Sequence, residues 1–227
     1  VFTGRADVTL SASQGGSVQN HSYDAATNRS TADVVLAGDS VGNTWLTFRN
    51  TRRLPSSSTS DGVTQVQLWR PGYPTDGSVT FTREFIEAMR KFQVIRTMDL
   101  VNANGNPSQS WGERTPPNYI GHVPDSGQSW ELVVALANAT GRDLWINVPV
   151  KADDDYIRKL AQLIRYGSDG ASPYTSVQAN PRYAPLRSGL NVYVEYGNEV
   201  WNWGVGFQGF HWALELANRH RMNPAHP

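Results

Sequence analysis

The sequence has 227 residues, with 20 Lys and Arg against 20 Asp and Glu and a formal net charge of +0. This length suits one sizeable domain or one and a half small ones, and the neutral balance argues against a nucleic-acid partner because no excess of cations is available to displace phosphate counterions. The lack of cysteine excludes disulfides, thiolate nucleophiles and Cys zinc sites. No apolar run approaches the about 18 residues of a membrane-crossing helix, so we expect no membrane partner.

Residues 1–62 are predicted to form a β-rich accessory segment. Short alternating runs at 6–10, 32–36 and 44–48 are typical of strands, and Gly, Asn and Ser turns separate them. The serine-rich stretch 54–62 has no apolar periodicity and is predicted to be a loop or linker. We therefore expect a domain boundary after residue 62.

Residues 63–227 are predicted to alternate between strands and helices. Strands are expected at 65–69, 94–98, 144–148 and 190–196, and helices at 82–92, 130–140, from 153 to 164, and 210–220. Such alternation implies parallel strands joined by crossover helices. The predicted fold class is therefore α/β, the first half (four βα units) of a (β/α)8 TIM barrel, preceded by the β-rich segment.

Half a barrel would leave its sheet edges and one core face open. We therefore expect a partner in the form of a missing C-terminal half of the same barrel, with pairing between two half-barrels as an alternative.

Polar residues gather at the predicted carboxyl ends of the strands, where α/β enzymes place their catalytic groups. The most informative stretch is 194–202, in which a carboxylate follows an asparagine among aromatic residues. The candidates at these ends are Arg70, Arg96, Asp99, Asn147, Asp153, Glu195, Asn198 and Glu199.

The segment 196–202, Tyr-Gly-Asn-Glu-Val-Trp-Asn, resembles the Asn-Glu signature of clan A glycoside hydrolases, the retaining (β/α)8 glycosidases. The resemblance spans residues 63–215 and implies that Glu199 is the general acid/base and that Asn198 binds the sugar 2-hydroxyl. The clan also places an arginine beside its nucleophile at the end of strand two, a position that Arg96 matches. The clan nucleophile follows strand seven, which has no counterpart here, so we expect little or no hydrolysis by this chain alone.

Glycosidic cleavage needs a proton on the leaving oxygen and a carboxylate beneath the anomeric carbon, with the two carboxyl groups about 5–5.5 Å apart in retaining enzymes. The proton donor must stay protonated near neutral pH, which burial against aromatic rings favours. Trp201 and Trp203 are expected to provide this setting for Glu199 and, with Asn147, to bind substrate. The carboxylates that can substitute for the absent nucleophile are Glu195, Asp99 and Asp153.

Several of these residues also have structural interpretations. Glu199 suits the first turn of a following helix, and Asp153 suits a helix cap. For Glu195, a buried ion pair with an arginine and a role in the site explain the sequence equally well. An ion pair is also an alternative for Arg96.

Eight tryptophans are an unusually high count for this length. Trp111 and Arg114 lie in the predicted long loop 101–129 and are expected to form a sugar-binding lid. Trp45, Trp130, Trp145 and Trp212 fall on strand or helix patterns, where core packing is expected.

The five histidines lack metal-ligand spacing, so we expect no metal and no cofactor. His122 is the one histidine in a candidate site loop.

These features together predict a secreted, polysaccharide-degrading, retaining glycoside hydrolase, of which this chain carries the acid/base half of the active site. Only 18% of the residues are charged, and uncharged polar surfaces are common in secreted proteins that handle sugars. The alternative is a non-catalytic carbohydrate-binding protein or an inactive barrel. The expected partner is in either case an oligosaccharide or polysaccharide.

Overall fold

The computed structural model describes residues 1–12, 15–37, 43–119 and 124–222. The chain divides into two compact units, Val1–Val79 and Thr80–Pro227. The division comes later than the boundary expected after residue 62, because residues 64–67 pair with the first residues of the chain.

The first unit is built from antiparallel strands. Its described residues form the strands β1 (Phe2–Thr3), β2 (Arg5–Ala12), β3 (Gly16–Asp24), β4 (Arg29–Leu36) and β5 (Thr44–Arg52). These strands pair in two sheets, with strand orders β1-β4-β3 and β2-β5. The strands predicted at 6–10, 32–36 and 44–48 are confirmed.

The second unit contains a parallel sheet, whose strands in the described residues are β6 (Val94–Arg96), β7 (Asp143–Val148) and β8 (Val192–Tyr196). They pair in the order β6-β7-β8. Its helices are α1 (Arg83–Met89), α2 (Trp130–Thr140), α3 (Asp154–Tyr166) and α4 (Gln208–Met222), and a 3-10 turn spans Trp111–Glu113.

Local capping signals explain why α2 and α3 begin where they do. The Ser129 hydroxyl accepts a hydrogen bond from the Leu132 amide at 3.3 Å, and α2 ends at Gly141, whose φ is 68°. The Asp153 carboxylate accepts a hydrogen bond from the Tyr156 amide at 2.7 Å at the start of α3. The capping interpretation of Asp153 is therefore confirmed.

The core of the second unit lies on one face of β7. Leu144, Ile146 and Val148 alternate along this strand and are all buried, so they share the face that packs on the helices. Burial of each such side chain contributes about 1.5–3 kcal/mol. Their buried neighbours are Val101, Ala103, Trp111, Trp130, Val133, Val134, Ala137, Tyr156, Leu160 and Leu163.

The predicted half-barrel of four βα units is wrong. Residues 65–69 do not form a strand of the parallel sheet, because the Gln67 amide donates to the Val1 carbonyl oxygen at 2.8 Å and Thr64 forms an antiparallel bridge with Thr3. Three parallel strands and four helices remain in the described part of this unit. The expectation of a second barrel half as partner loses its basis with the fold class.

Candidate functional site

The open face of the parallel sheet carries a group of polar side chains. Arg96 is in register with Trp145, and Asn147 is in register with Glu195, so all four side chains lie on the face opposite the core. Asn198 follows β8 and joins them through its hydrogen bonds. We call these five residues the sheet-edge cluster.

Glu195 is the centre of the sheet-edge cluster. Its Oε2 accepts hydrogen bonds from Arg96 Nη2 at 2.8 Å, Asn147 Nδ2 at 2.7 Å and Trp145 Nε1 at 3.0 Å. Partial burial raises the pKa of Glu195, but the hydrogen bonds from Arg96 and Asn147 and the Arg96 charge outweigh it, so the pKa lies below its ordinary value. Glu195 is therefore held as a carboxylate. The arginine ion pair that the sequence left open is present, although both side chains are about one-third exposed.

Asn198 is locked by two side-chain hydrogen bonds. Only 5% of the residue is exposed, its Oδ1 accepts from Arg96 Nη2 at 2.7 Å, and its Nδ2 donates to Asn104 Oδ1 at 2.8 Å. Sequence reasoning missed Asn104, because an asparagine in a Gly- and Asn-rich stretch is typical of any turn. The two bonds fix the direction in which the chain leaves β8.

Gly197 gives the turn after β8 its shape. Its φ is 61°, and a Cβ there would lie 2.4 Å from Val150 Cγ1, so only glycine fits. The Gly197 carbonyl oxygen accepts from Asn147 Nδ2 at 2.6 Å. The same Nδ2 also donates to Glu195 Oε2, so the fully buried Asn147 connects this turn to Glu195 on the neighbouring strand.

Glu199 adopts a strained backbone conformation. Its φ is 44°, and among the six non-glycine residues with positive φ in the described chain four are Asn, the residue that tolerates this region best. Its side chain is exposed, and Oε2 accepts a hydrogen bond from Asn202 Nδ2 at 2.9 Å. The alternative of a first-turn helix carboxylate does not hold, because α4 begins only at Gln208.

The tryptophans are arranged differently from the expectation. Trp201 and Trp203 are 72% and 77% exposed, so they do not bury Glu199. Trp111 is buried, with its Nε1 donating to the Ala171 carbonyl oxygen at 3.1 Å, so its expected role as a sugar-binding lid is wrong. Trp145, expected in the core, instead donates to Glu195 from the open sheet face.

The remaining candidates lie outside the sheet-edge cluster. Arg114 is buried in an ion pair with Glu131, so it does not form a lid either. Asp99 lies exposed in the turn after β6, and Arg70 belongs to the first unit. His122 lies outside the described residues.

No family model, no curated protein and no solved structure matches this chain. Among the described residues, no group of three or more His, Asp or Glu side chains is placed to hold a metal ion. No helix in the described ranges is long and apolar enough to cross a membrane.

The lowered pKa of Glu195 predicts a pH dependence of stability. Because the folded-state pKa is below the unfolded value of about 4.5, the stabilisation is fully present above that value and is lost as the pH falls through the folded pKa. Solvent screening limits it to under about 1 kcal/mol. The difference in unfolding free energy between the wild type and Glu195→Gln should therefore shrink as urea titrations move from neutral pH into acid. A constant difference would show that the Glu195 charge is not stabilised in the folded state.

Proposed function

We propose that this protein is a retaining glycoside hydrolase acting on an uncharged polysaccharide, with Glu199 as the proton donor. The observation that carries the proposal is the exposed, strained Glu199 that directly follows the locked Asn198. A left-handed non-glycine residue costs about 1–2 kcal/mol, and such strain is concentrated at functional sites. The locked neighbour holds the strained turn in place.

Glu195, one of the carboxylates that can substitute for the absent clan nucleophile, is the second carboxylate in this proposal, which thereby replaces the expectation of little or no hydrolysis by this chain. Retaining hydrolysis requires an ionised carboxylate that bonds to the anomeric carbon while the donor protonates the leaving oxygen; water then cleaves the glycosyl-enzyme bond. Arg96, Asn147 and Trp145 hold Glu195 in the ionised state and contact only its Oε2. In this proposal, Oε1 is the attacking oxygen.

Exposed aromatic rings provide the surface for the sugar, and in this proposal a sugar bound on them covers Glu199, which Trp201 and Trp203 do not bury by themselves. Trp201 and Trp203 extend into solvent beyond β8, whereas the Arg96 guanidinium covers one face of the Trp145 ring, with its central carbon 5.1 Å from the ring centroid. Indole rings offer large apolar faces with a polar edge, which suits the apolar faces and hydroxyl rims of pyranose rings. The proposal includes secretion of the protein, which agrees with a polysaccharide substrate.

The test is the release of reducing ends from soluble cellulose derivatives, xylan, mannan and laminarin. Glu199→Gln should bind the cleaved polysaccharide as the wild type does and release reducing ends at least about 10²-fold more slowly. Glu87→Gln, which changes an exposed carboxylate of α1, is the matched control and should remain active. Equal turnover by Glu199→Gln and the wild type would remove Glu199 from the proton-donor role.

A second candidate function is carbohydrate binding without cleavage. The observation that favours it is that Glu195 Oε2 accepts three hydrogen bonds. A carboxylate whose oxygen is so fully hydrogen-bonded also suits a purely structural ion pair, which would leave the site without a nucleophile. Binding of one of the four polysaccharides with no release of reducing ends would select this candidate.

Both candidates predict that the exposed indoles carry affinity. Trp201→Ala and Trp203→Ala should each weaken polysaccharide binding about tenfold, which corresponds to about 1.4 kcal/mol of lost ring contact. Affinity electrophoresis in polysaccharide-containing gels measures the change. Trp45→Ala is the matched control, because Trp45 is 58% exposed but lies in the first unit. Unchanged retardation of both variants would exclude these rings from the binding surface.

A further inference from the structure

A cleft of about 430 Å³ opens in the second unit between two loop segments. Its walls include Pro117 and Asn118 from one loop, and Gly170, Arg182 and Tyr183 from the other. It shares no residue with the sheet-edge cluster. Its volume lies within the range of about 300–1,000 Å³ that is usual for small-molecule sites.

A buried ion pair anchors one wall of this cleft. Arg114 Nη1 lies 3.1 Å from Glu131 Oε2, and both side chains are at most 5% exposed. Arg114 Nη2 donates to the Gly170 carbonyl oxygen at 2.9 Å, and the Ser168 hydroxyl donates to Glu131 Oε1 at 2.7 Å. These bonds tie the loop at Gly170 to α2, so this wall of the cleft is preformed and a ligand does not have to order it.

Gly170 keeps the space between two walls of the cleft open. Its φ is 100°, and a Cβ there would lie 2.9 Å from Tyr183 Cε2 and 3.4 Å from Pro117 Cγ. A side chain at this position would therefore fill the gap between the tyrosine ring and the proline.

The charges in the cleft balance each other. The Asp169 carboxylate accepts hydrogen bonds from the Ser172 and Ala171 amides at 2.7 and 2.8 Å, which, with the Arg182 charge, keep the pKa of Asp169 below its ordinary value. Arg182 lies 5.6 Å from the centre of the Tyr183 ring, and its Nη1 donates to the Asp169 carbonyl oxygen at 3.3 Å. One cation beside one anion favours a neutral, hydroxyl-rich ligand over an anion.

We propose that this cleft is a second glycan-binding site, in which one neutral sugar ring packs against Tyr183 while Arg182 and Asn118 hydrogen-bond its hydroxyls. The cleft itself is independent of Glu199, whereas the choice of a glycan as ligand rests on the proposed function. A polysaccharide chain bound here would be held to the protein without contacting the sheet-edge cluster, which increases its effective concentration there.

The test is a titration of the ¹⁵N-labelled protein with cellotetraose, xylotetraose, mannotetraose and laminaritetraose, followed by NMR. The amides of Gly170 and Ala171 report on the cleft, and the indole Nε1–H of Trp145 reports on the sheet-edge cluster. We expect saturable shifts at Gly170 and Ala171 with at least one tetrasaccharide. Shifts confined to Trp145 would overturn the second site and leave the proposed function standing. Shifts confined to the cleft would support the second site and contradict carbohydrate binding at the sheet-edge cluster. No shift at either place would overturn both.

Tyr183→Ala should raise the dissociation constant measured at Gly170 about tenfold and leave that measured at Trp145 unchanged. Asn118→Ala changes an exposed side chain and keeps the test informative if the tyrosine variant does not fold. It should weaken the cleft affinity alone, in the same direction. Unchanged affinity in every folded variant would overturn the proposal.

Discussion

Glu131→Gln is expected to lower the free energy of unfolding by about 3–5 kcal/mol, because it leaves the Arg114 charge buried without its counter-ion. Glu131 and Arg114 form a two-pronged pair at 3.1 and 3.2 Å, and the carboxylate also accepts the Ser168 hydroxyl. Glutamine keeps the size of the side chain, so the loss reports the charge and its hydrogen bonds rather than a cavity. Urea denaturation measures the change.

An exposed ion pair is the matched control for this variant. Lys159 and Asp155 lie 2.8 Å apart on the surface of α3, with Asp155 about half exposed, and Asp155→Asn should cost under about 1 kcal/mol. The double variant Arg114→Met with Glu131→Leu removes both buried charges and should recover part of the loss. A cost for Glu131→Gln as small as that of Asp155→Asn would contradict the role of the buried pair.

The local elements of the second unit were predictable because their signals are local. Ser129 and Gly141 bracket an apolar helical stripe, and α2 spans the predicted residues 130–140. The prediction of a parallel strand at 65–69 was wrong because it depends on a distant contact. The alternating pattern fits either unit. Residues 64–67 pair with the first three residues of the chain, which lie more than 60 positions away, and this pairing places them in the first unit.

The site was predictable only in part. Glu195 stands out because it lies near the end of a recognisable strand, and Asn198 and Glu199 because they follow it, but the contacts that hold Glu195 and Asn198 join residues distant in sequence. Asn104 and Asn198 are 94 positions apart, and no local pattern pairs them.

Trp111 was expected in a lid and lies in the core, whereas Trp145 was expected in the core and lies on the open sheet face. Contacts distant in sequence decide both positions. An alternating strand does not reveal which of its faces the helices will cover. The face of β7 that carries Trp145 stays open, while the loop with Trp111 packs into the core.

Glu199→Gln is expected to lower turnover by about 10²–10⁴-fold, the usual contribution of a positioned general acid, while leaving polysaccharide affinity unchanged. Glutamine has nearly the same size and keeps a polar contact with Asn202. The effect is therefore expected in kcat rather than in binding. Initial rates over a range of polysaccharide concentrations separate the two.

Glu199→Asn separates the chemical role of this residue from its conformational cost. Asparagine also removes the carboxylic acid, so turnover should fall as in Glu199→Gln. Because asparagine tolerates the left-handed backbone at φ 44°, it should also stabilise the protein by about 1 kcal/mol, or raise Tm by about 2–4 °C, whereas glutamine keeps the strain and should not. Thermal unfolding of the two variants side by side measures the difference.

A gain in stability together with a loss of turnover would mean that Glu199 is kept in this turn for its chemistry at the expense of stability. Equal Tm values for the two variants would mean instead that the turn does not strain Glu199. The proposed function would then lose the observation that carries it, even if Glu199→Gln were inactive.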